Sequence, residues 1–200
     1  MLELSIQNPS TKKMVKIDVD DGTYIGITGE NYSQIMYALI GKQNLAGDIV
    51  LDGLSIKADY DEYMKLIAYI SGDVRKRLDS TQLTINDYLD LSVMLRMENI
   101  DIDEYQKSKN AYLEFFSINK SEKLCDLDED KLLLIEFVTL FLKKPKLILI
   151  DDFLSLLTSQ RVEEMMNFLK QYLYPDNISI IASRHEEILK KITNSIYFFE

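Results

Sequence analysis

The chain opens with short stretches in which apolar residues alternate or run together. "LELSI" (2–6), "MVKIDV" (14–19) and "TYIGIT" (23–28) have the period, or the buried composition, of β-strands. Asp21-Gly22, between the second and the third, is a hairpin turn signal. The spacing then changes. "SQIMYALIG" (33–41) is helical and ends on Gly41, placed as a C-cap. "GDIVLDGLSI" (47–56) reads as two strands about Asp52-Gly53, and "LIAYIS" (66–71) as another strand.

From about Thr84 to Leu142 apolar residues recur three and four apart, as in "TINDYLDLSVMLRM" (84–97) and "DIDEYQKSKNAYLEFFSI" (101–118). "LLLIEFVTLFL" (132–142) is apolar on nearly all sides apart from Glu136. It falls well short of the roughly 18 residues of a membrane span, so it predicts a helix buried in protein. The last third alternates: strand "KLILI" (146–150), helix "SQRVEEMMNFLKQYL" (159–173), strand "ISIIAS" (178–183), helix "HEEILKKI" (185–192), strand "SIYFF" (195–199). That order predicts parallel strands joined by helical crossovers, an α/β layered core with a helical block inserted into it.

Composition narrows this outline. The 200 residues hold only seven glycines and three prolines, with no low-complexity tract, so a single compact unit is expected; 46% hydrophobic residues can supply its core. A net charge of -10 disfavours nucleic acid as a partner. Cys125 is the single cysteine, which forbids an internal disulfide, suits a reducing cytosol and reads as an inert thiol. "MLELSIQNPSTKK" lacks the order of a signal peptide, so a soluble protein is expected.

Three stretches carry candidate chemistry. "GITGENYS" (26–33) follows a strand and opens a helix, the context in which backbone N–H groups meet phosphate oxygens at a helix N-terminus. Gly26, Gly29, Glu30, Asn31, Tyr32 and Ser33 of this stretch, with Gln34 just after it, are the candidate nucleotide contacts, and Ser33 is a candidate magnesium ligand. An ordinary strand-to-helix turn fits the same eight residues. "PKLILIDDF" (145–153) ends a buried strand on Asp151, where open α/β sheets bind ligands, and Asp152 beside it could orient a water. A strand closed by an Asp-Asp turn is the plain alternative. "IIASRHEEI" (180–188) sets Arg184 and His185 after a third buried strand, within reach of a γ-phosphate or simply opening a helix.

Taken in order, these blocks resemble the nucleotide-binding subunit of ATP-binding cassette (ABC) transporters over essentially the whole chain. "MVKIDVDDGTYIGITGENYS" (14–33) is similar to the family's paired strands and Walker A loop, and "GDIVLDG" (47–53) to the hairpin after it. "LIAYISG" (66–72) resembles the strand into the Q-loop, and "LTINDYLDL" (83–91) the opening of the helical subdomain. "LKKPKLILIDDFLSLL" (142–157) resembles the Walker B strand and D-loop, and "IIASRHEEILKKITNSIYFF" (180–199) the switch-histidine strand with its following helix and strand. The resemblance implies a P-loop NTPase (RecA-like) core with N-terminal antiparallel β-strands and an inserted α-helical subdomain. It implies one ABC ATPase-like domain over 1–200, with 1–72 and 145–200 as the α/β core and 73–144 as the helical, signature-bearing part. ATP and Mg2+ are the implied cofactors, with Ser33 and Asp151 as magnesium ligands and Asp152 and His185 in catalytic roles. The implied partners are an integral-membrane permease and a second ATPase subunit, in a homodimer or a heterodimer. The implied place is cytoplasmic, peripheral on the inner face of the membrane. A groove formed by apolar residues around Tyr69 to Leu95 would receive a short permease helix.

The departures from the pattern are as specific. Asn31 and Tyr32 stand where Walker A has glycine and lysine, and Gln34 where it has a second Thr or Ser. Leu127-Asp128-Glu129-Asp130-Lys131 occupies the signature position, Gly72 the Q-loop glutamine, and Asp152 that of the catalytic glutamate, one methylene short. Arg184 falls at the switch-histidine position and His185 one residue late; no aromatic residue among the first 20 is there to stack on adenine. The expectation is a degenerate subunit with weak or absent hydrolysis and a structural or regulatory role. A slow ATPase and a stand-alone ABC-like binding protein are the alternatives.

Overall fold

The computed structural model describes residues 1–71, 82–95, 101–172 and 177–199. Gly72, the boundary at 72/73 and residues 72–81 of the expected docking groove lie outside the described residues.

Strands β1 (Leu2–Gln7) and β2 (Met14–Val19) form an antiparallel hairpin, and β3 (Tyr24–Thr28) leads into helix α1 (Tyr32–Leu39). Strands β4 (Gly47–Leu51) and β5 (Leu54–Ser55), helix α2 (Tyr60–Lys65) and strand β6 (Ile67–Ser71) follow. Helices α3 (Ile85–Met94), α4 (Ile102–Phe115) and α5 (Glu129–Leu142) lie between β6 and β7 (Leu147–Asp151). Helix α6 (Ser159–Tyr172), strand β8 (Ile178–Ala182), helix α7 (Glu186–Ile192) and strand β9 (Ser195–Phe198) complete the described elements.

The strands make two sheets: an antiparallel one in the order β2-β1-β4-β5, and a parallel one in the order β6-β7-β8-β3-β9. Burial follows the period-2 logic of a sheet covered on both faces. Leu147 and Leu149 of β7 pack with Ile25, Ile27 and Tyr32 on one side, while Ile148 and Ile150 pack with the helices α3, α5 and α6 on the other. Both faces being apolar, the strand reads as an unbroken hydrophobic run.

Asp21-Gly22 does make a turn, with Gly22 at φ 74°, but not a hairpin: β2 and β3 belong to different sheets. The signal marks where the backbone needs positive φ and says nothing of which strand pairs next. The β1–β2 hairpin closes instead through residues 8–13, where the buried Asn8 accepts the N–H groups of Ser10 and Thr11 at 2.9 and 3.0 Å. Asp52 and Gly53, at φ 50° and 83°, form the predicted turn between β4 and β5.

Helix α5 buries every residue from Leu132 to Leu142. Glu136 is tolerated there because the Tyr88 hydroxyl of α3 donates to its carboxylate. Asp128 caps the helix, accepting the Lys131 N–H at 2.8 Å, and Glu129 and Asp130 fill the first turn as the dipole favours. Lys109 of α4, 1% exposed, donates to Asp90 and Asn86 of α3 at 2.6 and 2.8 Å, and Tyr105 donates to the same Asp90 oxygen at 2.7 Å. This pairing satisfies a charge that would otherwise forbid the helices from closing together.

Candidate functional site

The parallel strands β3, β6, β7 and β8 end on one edge of the sheet, and that edge gathers most of the candidate residues. Gly26 sits inside β3, where a Cβ would meet Thr193, Ile196 and Leu189 at 3.1–3.3 Å; it is a packing glycine against α7 and β9. Gly29, at φ 105°, opens the turn after β3, and a Cβ there would lie 2.3 Å from the Phe199 carbonyl oxygen. Glu30 is exposed at the tip. Asn31 precedes α1 and accepts the N–H groups of Gln34 and Ile35 on its carbonyl at 3.1 and 3.4 Å. Its side chain is committed as well, donating to the Ser10 hydroxyl at 2.7 Å and accepting from Gln34 Nε2 at 2.9 Å. Ser33 is partly buried in the first turn of α1.

Tyr32, which the resemblance puts at the Walker A lysine position, is 6% exposed and belongs to the core beside Ile25 and Ile27. Burial raises the pKa of its hydroxyl, the nearby Arg184 guanidinium works against that rise, and the charges of Asp152 and Asp151 add to it. Of the two candidates after β8, Arg184 therefore faces this cluster. His185 precedes α7 and lines a separate groove with Leu154, Met166, Ile188 and Ile192.

Asp151 is the last residue of β7 and is buried. Tyr69 of β6 donates its hydroxyl to Asp151 Oδ2 at 2.7 Å. Burial raises the Asp151 carboxyl above its ordinary value of 3.8, the Tyr69 hydrogen bond works against that rise, and the Asp152 charge adds to it. Burial, then Asp151, also pushes the Tyr69 phenol upward. Asp152 stands in the left-handed region at φ 46°, and its buried Oδ1 has no hydrogen-bond partner. In sequence Tyr69 is named only as the start of the docking groove and not as a residue of this edge, where its hydroxyl meets Asp151. The signal for it lies in register: β6 pairs with β7 so that Ser71 sits beside Asp151, two residues on from Tyr69.

The sign of the Asp151 shift makes a prediction. The protonated form is favoured in the folded chain, so Asp151's contribution to stability is complete below 3.8 and is lost as pH rises through the raised folded value. Asp151→Asn keeps an acceptor for Tyr69 and is expected to raise Tm at neutral pH. That gain should shrink toward acid, and calorimetry at about pH 7 and about pH 4 measures it.

A nucleotide phosphate does not fit the groups present. The loop offers no cation, Asn31 N–H is taken by the Phe199 carbonyl at 3.0 Å, and Tyr32 is folded into the core. For a divalent metal, one of the two Asp151 oxygens already accepts the Tyr69 hydroxyl. Among the described residues, no group of three or more His, Cys, Asp or Glu is arranged to hold a metal. Nor is any helix among them long and apolar enough to cross a membrane.

Compared by sequence, the chain matches no protein-family model and no curated protein. Compared by structure, it is similar to an ATP-binding subunit of an ABC transporter, at 19% identity and a TM-score of 0.79, over all of this chain and 85% of that one. It is similar to cbiO1 from Clostridium perfringens, part of the ABC transporter complex cbiONQ, at 16% identity and a TM-score of 0.80, over all of this chain and 84% of that one. It is similar to the dimeric ATP-binding cassette MJ0796 in a post-hydrolysis state bound to ADP and Pi, at 14% identity and a TM-score of 0.74, over all of this chain and 94% of that one. At such identities the likeness is one of fold. The chain has the α/β fold of ABC transporter ATP-binding subunits, a P-loop NTPase architecture, as the sequence blocks imply.

Proposed function

We propose that this chain is a degenerate ATP-binding subunit of an ABC-type membrane transport complex. It docks on an integral-membrane permease at the inner face of the membrane, paired with a second ATPase subunit, in a homodimer or a heterodimer. Its role there is structural or regulatory, and its own ATP hydrolysis is weak or absent. One observation carries the reading: Tyr32, which the resemblance puts at the lysine position of a strand-loop-helix, is a core side chain. A phosphate loop without its cation keeps the architecture and loses its strongest contact. Hydrolysis also needs a metal clamp and a positioned base, and Asp152 stops short of a glutamate's reach; a misplacement of about 1 Å costs on the order of 100-fold in rate.

The outer face of α3 is the candidate for docking, because Leu91, Met94 and Leu95 are 47%, 61% and 74% exposed there. The tagged chain, extracted in detergent from its native cells, is expected to bring a multi-span membrane protein with it. Leu91→Asp with Leu95→Asp should abolish that complex while moving stability by no more than about 0.5 kcal/mol, as surface changes do. In the assembled complex, Asp151→Asn and Asp152→Asn are expected to leave transport at the wild-type level. Turnover abolished in a correctly assembled aspartate variant would place a slow ATPase first. Loss of folding together with docking in the leucine variant would move the docking face elsewhere.

A further inference from the structure

We propose that the nucleotide edge is filled from within: the Phe199 carbonyl holds the loop N–H that a phosphate oxygen would take, and the Tyr69 hydroxyl holds one oxygen of the strand-end carboxylate that a metal would take. This goes beyond the proposed function, which asks only that hydrolysis be weak or absent; here the loop has its own permanent occupant.

The contacts form a chain of constraints. Strand β9 runs parallel to β3 with Phe198 beside Thr28, and the backbone continues past it. Phe199 N–H donates to the Thr28 carbonyl at 2.9 Å, and the Phe199 carbonyl then accepts the Asn31 N–H at 3.0 Å. The Phe199 ring, 1% exposed, is packed in the same core cluster as Ile25, Ile27 and Tyr32. The ring and the N–H therefore hold Phe199 beside the loop, with its carbonyl within reach of the Asn31 N–H. Gly29 belongs to this arrangement: a Cβ there would lie 2.3 Å from the Phe199 carbonyl oxygen, so glycine leaves the room in which that carbonyl sits. A glycine that reads as phosphate-binding in sequence is thus required by the chain's own backbone.

The other side of the loop is tied too. Asn31 Nδ2 to Ser10 fastens it to the β1–β2 hairpin, and Gln34 holds Asn31 Oδ1. Across the edge, Tyr69 donates to Asp151 Oδ2 at 2.7 Å, and Tyr32 is folded into the core. Contacts that a bound nucleotide and metal would supply are made between β3, β6, β7 and β9 themselves. The loop should then keep one conformation whether or not nucleotide is present.

Backbone amide exchange of Asn31, followed by NMR on the wild-type chain with and without Mg-ATP, tests this. Protection of roughly 100-fold or more is expected without nucleotide, unchanged when Mg-ATP is added. Fast exchange in both conditions overturns the internal occupant alone. Fast exchange that becomes protected with Mg-ATP overturns it together with the non-binding reading. A second arm uses Asn31→Gly with Tyr32→Lys, which restores the missing glycine and lysine. That pair is expected to bind Mg-ATP no better than wild type, and adding Phe199→Ala, which frees the strand end, is expected to tighten binding by about tenfold or more. Equal affinity of the double and triple variants overturns the proposal.

Discussion

Titrated with Mg-ATP in a calorimeter, the purified chain is expected to show no low-micromolar binding. The magnitude follows from the contacts that are missing. A lysine on a phosphate and a backbone N–H on a phosphate oxygen are both hydrogen bonds to a charged group, each worth about 1.5–3 kcal/mol. Tyr32 removes the first and the Phe199 carbonyl removes one of the second. Together they take away about 3–6 kcal/mol, which is roughly 150- to 25,000-fold in Kd. Glu30, exposed at the loop tip, adds repulsion toward an anionic ligand that salt partly screens. A low-micromolar constant measured at ordinary ionic strength would mean that other donors replace these, and the reading of the loop would fall. Raising salt should not rescue binding, because only the Glu30 contribution is long-ranged.

The same contacts show where the sequence stops being informative. Elements that rest on local pattern are legible: the buried run 132–142, the Asp52-Gly53 turn and the capped start of α5 all follow from neighbours within a few residues. Helix α2 is not legible, since Tyr63 alone is buried along it and no periodicity results; its hydroxyl bonds the Leu39 carbonyl at 3.1 Å, a contact between distant segments. Asp21-Gly22 announces a turn correctly and its partner wrongly, because positive φ is a local need and sheet membership is not.

At the candidate site the limits are sharper. That Tyr32 and Asn31 depart from a phosphate loop is visible in the residues themselves. That Tyr32 is a core side chain is not, because tyrosine is at home on either side of a surface. Tyr69 reaches Asp151 across 82 residues of sequence, through strand pairing that only the fold creates. The Phe199 contact is made by a carbonyl, which every residue carries, so no residue type could have signalled it. Gly29 was visible and its reason was not: positive φ and a tight approach are common to a phosphate loop and to a loop filled by its own chain.

Phe168→Ala is expected to be among the most damaging single changes in the chain. Phe168 of α6 is fully buried. Its ring lies 5.0 and 5.4 Å from those of Tyr112 and Phe115 of α4, 5.0 Å from Phe116 just after it, 5.5 and 5.0 Å from Phe137 and Phe141 of α5, and 4.7 Å from Tyr172. Removing a buried phenyl costs about 3–5 kcal/mol through lost transfer energy and an unfilled cavity. For a chain of this length that is a fall in Tm on the order of 10 °C. Phe168→Leu, which keeps most of the apolar volume, should lose clearly less, and the difference between the two separates cavity from edge-to-face contacts. The consequence for function comes from what the cluster joins. It ties α4 and α5, which lie between β6 and β7, to the helix that leads from β7 toward β8, so it fixes the exposed face of α3 relative to the sheet edge bearing Asp151. If that face docks on a membrane partner, Phe168→Ala should weaken the complex even at temperatures where the chain is folded, whereas Leu91→Asp with Leu95→Asp should weaken it with Tm unchanged. A Phe168→Ala chain that melts within a few degrees of wild type would show that the helices are held by other contacts, and that the aromatic cluster is filling rather than a joint.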